Sequence, residues 1–439
     1  MATILIVSGS YYPYATANAV CAKKFEEELR RRGHTVVYCN RKHDLYEPDY
    51  YTYEGTELYT VGKNSDLYYQ TQSRLLSLEL PNRMGVCQKT AYNTFRLLMK
   101  LANIGKNEKA LRSEADKYYM DAYASTICEI VEKREVDIVL SVSMPFDSHR
   151  AVLAAMRKMK ERSMLIFPKW VAYCIDAYWS KAGLKTSDIP QMKAVEREIF
   201  EACDRILFLD TIASDYVGGD YDDLRNKICT LPLPLFDLNH VPQYTGGIDT
   251  NDNLQHWLFA GTIYDDYSNA DSLAEIIRCQ KNRPIKVHLM GKIYPKSLSL
   301  LEEVKQEMPN QVVIYGKQSY DFAKASMLHA KVLINLANDN ANQIPSKIFE
   351  YMTCLKPVLN VYRRTDDIGT AYLRKYPLAF NFDVNNIQTE MFSLTKWCQT
   401  LDERRTSLDE LRQIFKDALS DTITEKFYSF IIPLLPVKE

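Results

Sequence analysis

The chain has 439 residues, 46% of them hydrophobic and 25% charged, with 55 basic against 56 acidic side chains and a net charge of -1. That balance excludes a general nucleic-acid coat, which needs a broad basic excess, and a wholly disordered acidic chain. Gly 15 and Pro 17 are too few for a fibrous or low-complexity protein, and the length suits two or three domains.

The chain begins MATILIVSGSYYPYA, without a basic leader, a long apolar core or a small-residue cleavage site. No run approaches the ~20 apolar residues of a membrane span. The ten cysteines form no CxxC pair, and Cys39, Cys174 and Cys203 lie inside apolar runs. Packed, reduced thiols in a cytoplasmic protein are expected, with no metal and no cofactor.

In chain order, residues 3–8 form a continuous apolar run, the mark of a strand buried on both faces. A loop, Gly9 to Thr16, leads into a helix with Val20, Phe25 and Leu29 on its apolar face, stopped at Gly33. Residues 34–39 are a second apolar run. Strand, helix and strand in 40 residues make a βαβ unit with parallel strands. Residues 44–82 are tyrosine-rich and irregular. The stretch 83–112 carries Arg83, Lys89, Arg96, Lys100, Lys106, Lys109 and Arg112 against Glu108 alone. It reads as a solvated basic helix or as a surface leaning on anionic lipid.

Residues 116–135 predict a helix and 136–143 a buried strand. Asp147 is a candidate cap for the next helix, which carries His149 and runs to about Arg162. A strand within 164–176 ends at Asp176, a helix covers 191–202, and 205–210 is a strand. Residues 228–236 are strand, then proline-limited extended chain. The polar stretch 237–253, with Gly246-Gly247, is the linker candidate. Alternation then resumes. Strands are predicted at 256–261, 285–291, 311–316, 331–336 and 356–361. Helices are predicted at 269–281, 296–307, 320–329 and 345–354. A charged helix over 403–419 and an aromatic one over 422–432 close the chain. The fold class is α/β: two doubly wound Rossmann-like domains, residues 1–236 and 254–420, facing a cleft. The last helix, in 421–439, would cross back to the first domain or pack on its own.

Ligands of such sheets bind beyond the carboxyl ends of the strands. The most informative loop there is NDNANQIPSKIFEYMTCLKPVL, residues 338–359. Pro345 suits a first helical turn, leaving the amides of Ser346 and Lys347 free for a diphosphate. Lys347 adds a full charge. Glu350, three residues on, can accept from two ribose hydroxyls, or can simply form an i,i+3 surface pair with Lys347. His149 reads either as a catalytic group or as a capping or packed histidine. No GxGxxG after a strand, GxSxG elbow or Walker loop is present.

The segment PSKIFEYMTCLKPVL resembles the PSKLFEYMAAGKPVI-type segment of retaining GT-B glycosyltransferases of family 4, in a bacterial polysaccharide-type subgroup. ILIVSGSYYPYATANAVCAKKFEEELRRRGHTVVYC, DIVLSVSMPFDSHRAVLAA, VAYCIDAYW, EREIFEACDRILFLD, LPLPLFD and WLFAGTIYDDYSNADSL fall in the same family order. The resemblance implies a metal-independent hexosyltransferase that moves a sugar from a nucleotide-diphosphate sugar to a hydroxyl of a glycan or lipid-linked acceptor, with retention. Ser346 and Lys347 would hold the diphosphate and Glu350 the ribose. Gly9, Gly261, Gly316 and Lys317 would line the nucleotide-sugar, and His149 and Asp176 would face the sugar and acceptor. Several positions differ from the family: the first loop has Ala17-Asn18 where the family has a Gly-Gly pair, and the motif at Asp176 lacks its first aspartate and its arginine. Asn342 stands for the first of two glutamates eight residues apart, and Tyr267 lies near the usual arginine. Lys292 is the candidate replacement cation, while Asp265 and Asp266 place like charge beside the diphosphate. The resemblance also implies surface polysaccharide assembly at the inner face of the membrane. The alternatives are a nucleotide-sugar 2-epimerase and a non-catalytic GT-B-like binding protein.

Overall fold

The computed structural model describes the chain except residues 10–16, 43–46, 63–93, 95–107, 144–145, 166, 176–177, 180–185, 214–215, 217–218, 239–243, 266–269, 338–345 and 437–439. It divides into two compact units, Met1–Leu231 with Thr424–Glu439, and Pro232–Ile423.

The first unit contains strands β1 (Thr3–Ser8), β2 (Thr35–Arg41), β3 (Tyr50–Tyr53), β4 (Thr56–Val61), β5 (Ile138–Ser143), β6 (Lys169–Cys174), β7 (Arg205–Leu209) and β8 (Ile228–Leu231). Its helices are α1 (Ala17–Arg31), α2 (Glu108–Arg134), α3 (Asp147–Glu161) and α4 (Ile189–Ala202). The described strands form one sheet in the order β3-β4-β2-β1-β5-β6-β7-β8, parallel except for β3 against β4. Strands β1 and β5 are almost wholly buried, as their unbroken apolar runs require. The order reverses at β1, so the ends of β1 and β5 form the switch point.

Three details differ from the sequence reading. The β3–β4 hairpin lies in the stretch expected to be irregular. Its two-residue turn uses Glu54 at φ 48° and Gly55 at φ 76°, the positive pair a type I′ turn needs. Glutamate is not a usual residue there, which hid the hairpin. Helix α2 begins at Glu108, earlier than its apolar pattern suggested. Asp147 lies in the first turn of α3 rather than capping it: the cap position is Phe146, with no side-chain hydrogen bond. The basic stretch 83–112 lies outside the described residues except for 94 and 108–112, where Lys109 and Arg112 fall in the first turns of α2.

The second unit holds β9 (Gln255–Ala260), β10 (Ile285–Met290), β11 (Val312–Gly316), β12 (Val332–Leu336), β13 (Val358–Tyr362) and β14 (Ala379–Asp383). Helices α5 (Ala270–Cys279), α6 (Pro295–Glu307), α7 (Tyr320–His329), α8 (Lys347–Thr353), α9 (Ile368–Lys375), α10 (Ile387–Gln399) and α11 (Leu408–Ile414) accompany them. The strands are all parallel, in the order β11-β10-β9-β12-β13-β14. Side-chain ladders mark the register on both sides of the switch. Asn335 donates to Asn360 (2.8 Å) and Asn360 to Asn381 (2.9 Å) across β12, β13 and β14. On the other side, His256 meets His288 at 2.9 Å, and His288 meets the Tyr315 hydroxyl at 3.0 Å. A carboxylate only accepts, so His256 Nε2 carries the proton it shares with Asp252 at 2.7 Å.

The polar stretch expected as a linker packs against α7 in its described part. The Ile248 amide donates to Ser326 Oγ at 3.2 Å, and Ile248 is buried. The expected helix 403–419 is shorter, because Ser407 accepts from the Glu410 amide and starts α11 there. Helix α12 (Ser420–Ile431) ends the fold. Residues from Thr424 onward group with the first unit. Phe427 stacks on Phe25 at 4.0 Å, Arg32 lies 4.0 Å over the Tyr428 ring, and Glu425 pairs with Arg32 at 2.5 Å. Among the described residues no helix is long and apolar enough to cross a membrane.

Phe427 is 1% exposed, so its loss leaves a cavity that α1 cannot fill without moving. Phe427→Ala should cost roughly 3–5 kcal/mol in urea unfolding. A loss under about 1 kcal/mol would show that α12 is not held by this stack.

Candidate functional site

In the second unit the switch point lies between β9 and β12. Gly261 follows β9, and α8 follows the loop after β12. Helix α8 buries Ile348, Phe349, Tyr351 and Met352. The Tyr351 hydroxyl accepts from the Ala260 amide at 3.0 Å and lies 3.2 Å from the Ala260 carbonyl, which fixes α8 to the end of β9. Lys347 and Glu350, three residues apart, share the other face.

Glu350 is the centre of this face. Its Oε2 is 2.9 Å from Lys347 Nζ and 2.5 Å from Lys324 Nζ on α7. Burial pushes the Glu350 carboxyl up. The two ammonium groups pull it down further, and it ends below the ordinary carboxylate range. Tyr320 flanks the cluster, with its ring centroid 5.4 Å from Lys324 Nζ and 5.7 Å from Lys347 Nζ. The Tyr244 ring meets Tyr320 edge-on at 6.3 Å. Two cations on one anion leave an excess of one positive charge. Helix α8 has only seven residues, shorter than expected, so its dipole is small and the full charges dominate.

A glycine ridge lies at the ends of β9, β10 and β11. The Gly261 amide donates to the Met290 carbonyl at 2.9 Å, and the Gly291 amide to the Gly316 carbonyl at 2.8 Å. Gly291 has φ 122°, and a Cβ there would meet the Gly261 oxygen at 1.8 Å. Only glycine permits that approach. Lys292 Nζ bonds the Tyr294 hydroxyl at 3.2 Å and lies 4.3 Å over that ring. Lys317 follows Gly316 at the end of β11. Asp265 corrects an expectation. Its carboxylate accepts from the Lys296 and Ser297 amides at 3.3 and 2.8 Å and caps α6. Those backbone bonds, led by Ser297, lower its pKa, so its charge is committed to a helix end.

In the first unit, Gly9 follows β1 at the switch point. His149, expected to project toward sugar and acceptor, is instead fully enclosed. Its Nδ1 lies 2.7 Å from Ser141 Oγ, its Nε2 lies 3.6 Å from Cys174 Sγ, and Phe146 meets it edge-on. Burial pushes the imidazole down to about 3, so it is neutral at physiological pH. The packed alternative describes it. Asp176 and Asn342 lie outside the described residues.

Two charged residues beside these strand ends were missed in the sequence. Lys324 is one, because nothing in the spacing of α7 links it to Glu350. Glu196 on α4 is the other. It is 1% exposed and accepts from the Tyr216 and Tyr221 hydroxyls at 2.9 and 2.8 Å. Tyr216 also accepts from the Tyr178 amide at 3.3 Å, two residues beyond Asp176. Burial raises the Glu196 carboxyl to about 7 against the pull of the tyrosine bonds. The signal available was a lone acid on the inward face of a helix followed by tyrosines.

Because the folded pKa of Glu196 lies above the unfolded value, its contribution is complete below about pH 4.5 and is lost as pH rises through about 7. Relative to wild type, Glu196→Gln should therefore gain stability between about pH 5 and about pH 8 in thermal unfolding. Parallel profiles would place an ordinary carboxylate there. Gly291→Ala should cost about 1–3 kcal/mol through the forced clash with Gly261, read by urea unfolding. An unchanged midpoint would refute the close approach.

No protein-family model and no curated protein matches the chain. Solved structures do match over its whole length. A glycosyltransferase from Rickettsia africae ESF-5 is 13% identical with a TM-score of 0.59, covering 100% of this chain and 99% of that one. Sucrose-phosphate synthase from Thermosynechococcus elongatus is 13% identical with a TM-score of 0.60, covering 99% of each chain. The Anabaena protein HepE in complex with UDP-glucose is 10% identical with a TM-score of 0.57, covering 98% of this chain and 99% of that one. Identities this low speak to fold, and the fold is the GT-B architecture of these neighbours: two Rossmann-like units built on parallel sheets.

Proposed function

We propose that the chain is a hexosyltransferase that moves a sugar from a nucleotide-diphosphate sugar to a hydroxyl acceptor with retention. The observation that carries this reading is the Lys324–Glu350–Lys347 cluster beside the switch point of the second sheet. It combines excess positive charge with a carboxylate able to accept from a ribose diol. The neighbours with this fold are glycosyltransferases, and one binds UDP-glucose.

In this mechanism Lys347, with the Ser346 amide, meets the diphosphate and stabilises the charge that grows as the bond from anomeric carbon to phosphate oxygen breaks. The acceptor hydroxyl forms the new bond from the same face and passes its proton to the departing phosphate oxygen. The amines supply the charge that a metal supplies elsewhere. Glu350 accepts from the ribose hydroxyls. Gly261, Gly316 and Lys317 line the nucleotide, Lys292 offers a further cation, and the Asn342 amide bonds the sugar. Gly9 and Asp176 serve the sugar and acceptor on the first unit. Enclosed and neutral, His149 braces the ends of β5 and β6 instead of exchanging protons. The cellular role proposed is cytoplasmic assembly of a surface polysaccharide or lipid-linked glycan, with 83–112 resting on the membrane.

A thermal-shift screen with UDP, GDP, ADP, CMP, dTDP and their sugars tests the donor site. A ligand at ~100 times its dissociation constant adds about 2.7 kcal/mol. A rise with one base supports the reading, and no rise with any overturns it. Glu350→Gln should weaken nucleoside-diphosphate binding roughly tenfold, the cost of a charged hydrogen bond. It should leave inorganic pyrophosphate bound no more weakly, since only the ribose contact is lost. Turnover of the donor without an acceptor would favour the 2-epimerase.

A further inference from the structure

The two lysines on Glu350 are not equivalent. Lys324 is 13% exposed and Lys347 is 32% exposed. Lys324 is also the nearer, at 2.5 Å against 2.9 Å, and it comes from a different helix. Lys347 stands at the start of α8, beside the loop after β12, where a phosphate would arrive. We propose that Lys324 is a positioning residue, the fixed counter-ion of Glu350, and that Lys347 is the releasable one, handed from Glu350 to the diphosphate when the nucleotide-sugar binds. This rests on the donor-site reading above.

The physical need is clear. Half-buried Glu350 stays ionised because cations offset its burial. If Lys347 leaves for a phosphate, a lone carboxylate would face new negative charge. Lys324 removes that conflict, so Glu350 keeps its charge and its orientation toward the ribose. The other titratable groups near Glu350 cannot take this part. Cys354, at the end of α8, is pushed up to about 11 by burial, and Tyr351 is also raised by burial, so both stay neutral. Tyr320 on α7 turns its ring toward Lys324, and its hydroxyl bonds Tyr244, so it brings no second cation to Glu350. Lys356 carries positive charge near Cys354 but makes no ion pair with Glu350 among the described residues.

Without Lys324, binding must compete with Lys347's attachment to Glu350 or must protonate the carboxyl. Binding then takes up a proton, so affinity rises as pH falls. The test is calorimetry of wild type, Lys324→Met, Lys324→Arg and Lys347→Met, from about pH 5.5 to about pH 8. The probe is whichever of UDP-glucose, ADP-glucose, GDP-mannose and dTDP-glucose wild type binds most tightly. Their diphosphates do not titrate in this range, so the ligand adds no slope. Wild type and Lys324→Arg should give flat profiles. Lys324→Met should bind roughly tenfold more weakly near pH 8 and recover toward wild type near pH 5.5. Lys347→Met should be weak throughout. Thermal unfolding of each unliganded variant controls for folding. Equal affinity of Lys324→Met and wild type, or a loss that does not recover at low pH, overturns the inference and leaves the donor site standing. No binding of any probe by wild type overturns the donor-site reading and this inference with it.

Discussion

Parallel strands cannot be joined by a tight turn. Each must be followed by a crossover that returns along the sheet, so every strand releases its chain at the same edge. Where the strand order reverses, neighbouring crossovers leave in opposite directions and open a gap. That constraint arranges each unit of this protein. In the second, Gly261 and the start of α8 flank the gap between β9 and β12. Tyr351, bonded to the backbone of Ala260, holds the gap's two sides in register. In the first, Gly9 and the Phe146–His149 segment flank the gap between β1 and β5.

Charge at these edges follows a contest between burial and partners. Glu350 and Glu196 are the same side chain on helices beside strand ends, yet their acidities move in opposite directions. Glu350 has two ammonium groups on one oxygen, and they outweigh its burial. Glu196 has two tyrosine hydroxyls, which stabilise the carboxylate less than burial penalises it. An exposed pair such as Arg278 and Glu307, 2.7 Å apart, adds little, because water screens it. His149 and His288 show burial with weaker opposition. Both are pushed down, to about 3 and about 4, and both serve as neutral hydrogen-bonding groups, His149 from α3 against β5 and β6 and His288 within the second sheet.

The glycine ridge explains why the second sheet tolerates such crowding at its edge. Backbone can approach backbone at Gly261 and Gly291 because Gly291 has no Cβ to press on the Gly261 carbonyl oxygen. The parallel bridge between Ile263 and Ile293 then carries the two strand ends outward together. Asp265 closes the arrangement by accepting from the first-turn amides of α6, which hold its negative charge.

Much of the fold was legible in the sequence, because a strand buried on both faces must be apolar throughout and a helix between sheet and water must be apolar at every third or fourth position. TILIVS, KVLINL and ANAVCAKKFEEELRR carry those patterns locally. The pairing of Lys347 with Glu350 was equally readable, since one helical turn separates them. The β3–β4 hairpin was not, because its turn puts a glutamate at positive φ, a conformation its neighbours impose. Nor was the enclosure of His149 on α3, which depends on Ser141 from β5 and Cys174 from β6. Lys324 meets Glu350 only because α7 and α8 follow different strands to one edge. Sequence determines periodicity and short-range spacing. Only the tertiary structure decides which distant charges share an oxygen, because that distance is set by the crossovers and not by the count of residues between them.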